Sequence, residues 1–213
     1  MSSPSKAKSL DDTALDAVAG GIHYTYLPGT SSNDSIGATD GVDLIHAFEG
    51  NDTIDAGDGH DVVDAGDGHD SVRGGGDRDS ISGGSGDDTL LGGSGEDTVI
   101  GGDGDDQIAG GTGQDILVGG TGQDTFFWHP GDGNDTVHGG AGEDTLRLED
   151  SGYSLQQLFS MIQAEPGSPP PRMGDGVIDL TGVIGSITIG HETITFSQLE
   201  RLVVGDYTHF DGR

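Results

Sequence analysis

A nine-residue repeat is the feature that most constrains how this chain can fold. Between residues 83 and 118 the unit Gly-Gly-x-Gly-x-Asp-x-aliphatic-x occurs four times without a gap. Counting in nines from Asp88 meets an aspartate at every step from Asp34 to Asp124, and after two inserted residues the count resumes at Asp135 and Asp144. Thirteen such units in 213 residues indicate a solenoid, in which each unit packs mainly on its neighbours.

Each unit predicts one short strand and one tight turn. Its last three residues place a single β-favouring side chain between polar neighbours, which is the alternation of a strand with one buried face. Its other six residues are too rich in glycine for a helix or strand and favour turns. Two units then form one coil of a parallel solenoid, and units two apart stack at about 4.8 Å, the spacing of neighbouring strands. The predicted core positions are Ile36, Ile45, Ile54, Val63, Val72, Ile81, Leu90, Val99, Ile108, Leu117, Phe126, Val137 and Leu146.

This stacking also predicts a row of carboxylates along each edge of the solenoid. Carboxylates about 5 Å apart repel one another in a partly desolvated edge, so we expect a cation between them. Carboxylate and carbonyl oxygens, without cysteine or regularly spaced histidine, suit calcium better than zinc or copper, and magnesium is second because it keeps its waters. One predicted edge holds Asp34, Asp52, Asp70, Asp88, Asp106 and Asp124, and the other holds Asp43, Asp61, Asp79, Asp97 and Asp115.

The composition agrees with a cation-dependent fold. The net charge is −30, and only 5% of residues are aromatic, so the core must be a thin ladder of aliphatic side chains. We therefore expect folding to be coupled to metal binding. Nucleic acid is excluded as a partner by the charge, no stretch approaches the 18 apolar residues of a membrane span, and the absence of cysteine excludes disulfides.

The first 21 residues carry a second signal. Residues 10–21 read LDDTALDAVAGG, in which Leu10, Leu15 and Val18 can share a helix face before the glycine pair. This stretch resembles the double-glycine leader that bacterial peptidase-containing exporters cut, and a short capping helix that ends at glycine is the alternative. Ile22–Leu27 is then predicted as a first strand that covers the open end of the solenoid.

The repeat units resemble the RTX (hemolysin-type calcium-binding) family over residues 29–147. The resemblance implies a right-handed parallel β-roll, with calcium (Ca²⁺) bound between turns of units two apart. It also implies a bacterial protein that is exported unfolded by ABC-type (type I) machinery and folds in extracellular calcium. The ligands it implies are the carboxylates of Asp43, Asp52, Asp61, Asp70, Asp79, Asp88, Asp97, Asp106, Asp115, Asp124, Asp135 and Asp144, and the carbonyls of Gly57, Gly66, Gly75, Gly84, Gly93, Gly102, Gly111 and Gly120.

Some units depart from the pattern. The first unit has Thr30 and Ser32 in place of glycines, and Asp77 replaces the third glycine of the sixth unit, so weaker sites are expected near Asp34 and Asp79. His60 and His69 hold one slot of adjacent units and are expected to replace the usual Asn or Asp of the turn rather than to bind a transition metal.

The sequence divides into a leader or capping segment (1–21), the β-roll (22–147) and a C-terminal cap (148–213). In the cap, Ser154–Gln163 predicts a short helix with a capping box of Ser154 and Gln157. Strands are predicted at Val177–Leu180, Ser186–Ile189 and Thr193–Phe196, and the last two form a hairpin.

Catalysis is not expected, because the sequence contains no HExxH or GxSxG motif. The preferred function is therefore a secreted calcium-binding protein that folds on binding several ions. The alternative is an extracellular adhesion, matrix or ligand-binding module, with a glycan or a surface as partner, in which the roll is a calcium-stabilised scaffold. Ice binding is disfavoured, since Thr112 and Thr121 fall on opposite edges.

Overall fold

The protein is built from two facing β-sheets that share one chain path. A computed structural model describes residues 17–19 and 22–205, and in these ranges it contains 21 strands and one helix. The strands up to residue 149 are β1 (Ala17–Ala19), β2 (Ile22–Thr30), β3 (Ser35–Gly37), β4 (Asp43–Phe48), β5 (Thr53–Asp58), β6 (Val62–Asp67), β7 (Ser71–Gly76), β8 (Ser80–Ser85), β9 (Thr89–Gly95), β10 (Thr98–Asp103), β11 (Gln107–Gly113), β12 (Ile116–Thr121), β13 (Thr125–Trp128), β14 (Thr136–Ala141) and β15 (Thr145–Glu149).

The chain passes from one sheet to the other with each repeat unit. Strands β2, β4 and so on to β14 are hydrogen-bonded in one sheet, and β3, β5 and so on to β15 are bonded in the other, all in parallel pairs. The register sets each aliphatic residue on the one 18 positions away, as in Ile81, Val99 and Leu117. The predicted all-β parallel solenoid, with one coil for every two units, is confirmed.

The core is a narrow ladder between the sheets. Most strands contribute one fully buried aliphatic side chain, such as Ile45, Ile108 or Leu117. The next inward position holds alanine in the early coils and glycine afterwards, so it adds little apolar surface. The larger side chains Trp128 and Phe196 fill the interior only towards the C-terminal end.

The two-residue insertion does not disturb the stacking. Leu117 on β12 still pairs with Val137 on β14, although 20 residues separate them instead of 18. The extra residues form a turn in which the Asp132 N–H donates to the His129 carbonyl oxygen and the His129 N–H donates to the Asp132 carboxylate.

The C-terminal segment both caps the roll and continues it. Helix α1 (Leu155–Met161) starts after the predicted capping box of Ser154 and Gln157, and the predicted hairpin is confirmed. Strand β20 then pairs in parallel with β14, and β21 pairs in parallel with β15, so both sheets extend beyond the last repeat unit. The strands of this segment are β16 (Ile162–Ala164), β17 (Arg172–Met173), β18 (Ile178–Asp179), β19 (Gly185–Ile189), β20 (Glu192–Ser197) and β21 (Arg201–Gly205).

The N-terminal end of the roll is covered by β1, which pairs antiparallel with β2. Residues 17–19 are therefore a strand, and the prediction of a helix through Val18 is wrong there, because the edge of β2 offers unpaired backbone groups. The rest of the predicted leader or capping segment lies outside the described residues. Within the described ranges no helix is long and apolar enough to cross a membrane.

Candidate calcium sites along the turns

The aspartates named from the repeat form two ladders, one along each edge of the roll. Asp34 is partly buried, and every other one is at most 3% exposed. In each ladder the backbone N–H of one aspartate donates to Oδ1 of the aspartate in the next coil, as from Asp88 to Asp106 (2.8 Å) and from Asp97 to Asp115 (2.9 Å). The carboxylates are therefore held in place by the turns on which they stack.

The second oxygen of most of these carboxylates has no hydrogen-bond partner in the protein. An unpaired polar atom in a buried position costs free energy, and an unpaired charge costs more. A repeated cost of this kind indicates that a ligand belongs in the turns. Among the described residues, the atoms in question are Oδ2 of Asp52, Asp61, Asp70, Asp79, Asp88, Asp97, Asp106, Asp115, Asp124 and Asp144.

Burial raises the pKa of these carboxyls. It is the largest cause in every case, and the hydrogen bond from the neighbouring turn opposes it. Near neutral pH, ionised carboxylates in metal-free ladders would therefore lower the stability of the folded chain, and a divalent cation would remove this free-energy cost. The pKa rises to about 7 for Asp79, Asp106, Asp115 and Asp124, and to about 6 for Asp61, Asp88, Asp97 and Asp135.

Where the first residue of the unit is glycine, a backbone carbonyl converges with the unpaired oxygen in five turns, those of Asp79, Asp88, Asp97, Asp106 and Asp124. A Cβ atom built on Gly92 would lie 2.6 Å from Oδ2 of Asp97 and 2.5 Å from the carbonyl oxygen of Gly110 in the next coil. Gly74 has the same surroundings, formed by Asp79 and by the carbonyl of Gly92. Two oxygens that face one space without a donor between them suit a hard cation.

These first-glycine carbonyls were not among the ligands named from the sequence. That set consisted of the second glycines, whose φ angles are positive and whose carbonyl oxygens stack directly under the second glycine of the next coil, as Gly66 does under Gly84. The assignment of the second glycines stays a prediction. The signal that identifies the first position is structural, because only the folded coil brings the Gly110 carbonyl to Asp97.

The residues present fit calcium. In the described part of the chain no three His, Cys, Asp or Glu side chains come together as a metal cluster, so each turn would combine carboxylate with carbonyl oxygens. His69 accepts a hydrogen bond from the Asp87 N–H through Nδ1 (2.8 Å), which is the turn-forming role expected for it. His60 accepts from the Arg78 N–H in the same way (3.0 Å).

The first two turns differ from the rest. Oδ2 of Asp34 accepts from the backbone N–H and the hydroxyl of Thr30, and Oδ2 of Asp43 accepts from the same two groups of Thr39. These protein donors replace part of what a cation would supply, which agrees with the weaker site expected near Asp34. Asp79, by contrast, has the same arrangement as its neighbours, and the weaker site expected there stays a prediction.

The last turns keep the ladder intact. The Asp115 and Asp124 N–H groups donate to Asp135 and Asp144 at 2.9 Å, so the insertion leaves both carboxylates in line. On one edge Trp128 occupies the place of the first glycine and is 2% exposed, so a side chain fills the space that faces a carbonyl in other turns.

The fold and the turns define a calcium-binding β-roll. A family model described as the RTX calcium-binding nonapeptide repeat matches residues 28–63, 64–99, 91–126 and 131–150, which together make up more than half of the chain. The chain therefore belongs to the RTX calcium-binding repeat family, whose repeats bind calcium in multiple turns.

Comparisons with individual proteins give less information about function than the family match. No curated protein matches the chain. Among solved structures it is similar to the extracellular lipase LipA from Serratia marcescens, with 16% sequence identity and a TM-score of 0.29. The match covers 85% of this chain and 40% of the lipase, so this chain spans less than half of that protein.

Proposed function

We propose that this protein is a secreted bacterial calcium-binding protein that folds when calcium enters its turns. The observation that carries the proposal is the set of ten buried Oδ2 atoms, one in each of ten turns, that have no hydrogen-bond partner among the described residues. When these carboxylates are ionised, such a set is favourable in a folded chain only if cations neutralise it.

The two oxygens of each carboxylate have different roles in the turn. Oδ1 of each of these ten aspartates accepts the N–H of the preceding coil and fixes the carboxylate, while Oδ2 stays unpaired and, in turns such as that of Asp97, faces the same space as a first-glycine carbonyl. Bound calcium would supply positive charge and oxygen coordination there. Because the aliphatic ladder is thin, this binding free energy would be the main source of folding free energy.

Export follows from the same dependence. A chain that remains unfolded at low calcium can pass through an ABC-type (type I) exporter and fold in the calcium-rich exterior. The support is the family to which the chain belongs, together with its net charge of −30 and its lack of cysteine. The role we propose is binding rather than catalysis, because the buried aspartates are taken up by the turn ladders.

A calcium titration of the full chain, followed by far-UV circular dichroism from chelator to ~10 mM, tests the proposal over the range of weak extracellular sites. A cooperative change from coil to strand with calcium, and not with magnesium, is expected. A complete strand signal in chelator at pH 7.5 would show that the aliphatic ladder alone suffices, and the proposed calcium-driven folding would be rejected.

A second candidate function, ligand binding, is favoured by one surface groove. This open groove of about 450 Å³ is lined by Thr30, His46, Phe48, Glu49 and Asp64, among others. Phe48 is the one exposed aromatic residue in the described part of the chain, and it has a φ of +78° where regular units have glycine. An aromatic ring with hydroxyl and carboxylate groups around it suits a neutral sugar, because the carboxylates would repel an anionic one.

A neutral-glycan microarray probed with the calcium-loaded protein tests this candidate. Phe48→Gly is the matched variant, since it removes the ring and gives this unit the glycine that regular units have at this positive φ. Binding by the wild type that Phe48→Gly loses would support the groove. Absence of binding, or equal binding by both proteins, would reject it.

A further inference from the structure

The last aspartate of the repeat is completed by the C-terminal segment. Asp144 is fully buried, its Oδ1 accepts the Asp124 N–H at 2.9 Å, and its Oδ2 has no hydrogen-bond partner. From Asp34 to Asp124, the N–H of each repeat aspartate donates to the aspartate of the next coil. The N–H of Asp144 donates instead to Oε2 of Glu200, at 2.9 Å, so Glu200 takes the place of the next aspartate.

The backbone around Glu200 follows the path of a repeat turn. Thr145 follows Asp144 in the array, and its N–H donates to the carbonyl oxygen of Asp124 at 2.8 Å. In the same way, Arg201 follows Glu200, and its N–H donates to the carbonyl oxygen of Asp144 at 3.0 Å. Since β20 and β21 stack in parallel on β14 and β15, the segment between them crosses from one sheet to the other as every such turn does.

Gln198 takes the place of the first glycine of this turn. His138 pairs with Ser197, so Gln198 follows in register with Gly139. The Gln198 carbonyl oxygen and Oδ2 of Asp144 both lie against the position that a Cβ on Gly139 would occupy, the latter at 2.6 Å. This is the convergence seen in the regular turns, although Gln198 carries a side chain at a φ of +50°.

The turn is shorter than a repeat turn, and glutamate compensates for it. Five positions separate Gly139 from Asp144, whereas two separate Gln198 from Glu200. Glutamate has one more methylene group than aspartate, which extends its carboxylate towards the ladder from a loop that lacks three residues. No nonapeptide pattern is left in this segment, and the family match ends at residue 150.

We propose that Gln198 and Glu200 form, together with Asp144, a calcium site outside the nonapeptide array. The C-terminal segment is then part of the metal-binding structure, and calcium in this turn fixes the segment to the roll. The inference rests on the calcium binding of the repeat turns and adds one site to them, built from a carbonyl and a carboxylate that no repeat supplies.

Glu200→Gln in the full-length protein separates a metal-site carboxylate from a purely structural residue. The glutamine amide oxygen can still accept the Asp144 N–H, while the negative charge is lost. We expect one calcium ion fewer by equilibrium dialysis, or about a 10-fold higher calcium requirement for that ion. The strand signal at saturating calcium should equal that of the wild type. The control is Glu165→Gln, because Glu165 is an exposed glutamate of the same segment.

Two results would overturn the proposal. One is an unchanged number and affinity of calcium ions in Glu200→Gln, which would leave Glu200 as a hydrogen-bond acceptor only. The other is a crystal structure of the wild type in calcium without anomalous density beside Asp144 and the Gln198 carbonyl, which decides the matter even if the variant fails to fold. A wild type that binds no calcium in any turn would instead contradict the proposed function.

Discussion

Replacing Asp97 by asparagine should change the stability of the roll in opposite directions with and without calcium. Oδ1 of Asp97 accepts the Asp79 N–H at 2.8 Å, and an asparagine Oδ1 can do the same. The other oxygen is buried and unpaired, and asparagine puts an uncharged amide there. The substitution therefore removes the charge and keeps the hydrogen bond.

The magnitude follows from the pKa of Asp97. Burial raises this pKa from 3.8 to about 6, against a lowering by the hydrogen bond from Asp79 and by the nearby charge of Arg78. One pKa unit corresponds to about 1.4 kcal/mol, so ionised Asp97 costs the metal-free roll about 3 kcal/mol before solvent screening reduces it. Because the pKa of the folded state is the higher one, the carboxyl contributes no penalty below pH 3.8, and the penalty grows as the pH rises through 6.

Urea unfolding in chelator at pH 4, 5 and 6, followed by circular dichroism, measures the effect. Asp97→Asn should be nearly as stable as the wild type at pH 4 and more stable by about 1–3 kcal/mol at pH 6. In calcium the order should reverse, with fewer ions bound by calorimetry. The control is Asp55→Asn, in an exposed position of β5. A variant that is less stable than the wild type at pH 6 in chelator, or that binds calcium normally, would refute the reasoning.

Three further predictions concern the turns and the core. In chelator the wild type should lose strand signal as the pH rises from 4 to 7.5, because folding raises the pKa of many buried aspartates, and a signal that grows with pH would contradict this. Gly84→Ala should destabilise the calcium-loaded roll by about 1–2 kcal/mol or more, the strain of a left-handed residue, and so lower its melting temperature. The reason is that φ is +113° and the new Cβ would meet the Gly66 carbonyl, whereas Gly37→Ala, in open space, should melt like the wild type. Leu117→Ala should lower the free energy of unfolding, measured with urea in calcium, by about 2–5 kcal/mol. The control is Ile116→Ala at the exposed neighbouring position, and an equal loss of stability in both variants would contradict the ladder core.

The repeat predicted most of the roll because its period matches its geometry. Residues 18 apart are stacked neighbours, so a sequence that repeats every nine residues states directly that Ile81 lies under Val99 and that Asp88 lies under Asp106. The two aspartate ladders, the alternation between the sheets and the oxygen-rich turns all follow from this one relation. The insertion at Trp128 did not change them, since a turn at the edge can lengthen without moving the strands.

The tertiary structure alone decided which oxygens remain without partners and where the array ends. The period places Asp97 in a turn, but the convergence of its Oδ2 with the Gly110 carbonyl depends on the coil's path. Likewise, the contact of Asp144 with Glu200 joins residues 56 positions apart. A helix and a hairpin fill that interval, and Gln198 and Glu200 replace glycine and aspartate, so no periodic signal marks the turn. Only the parallel stacking of β20 and β21 on the last coil brings these groups together.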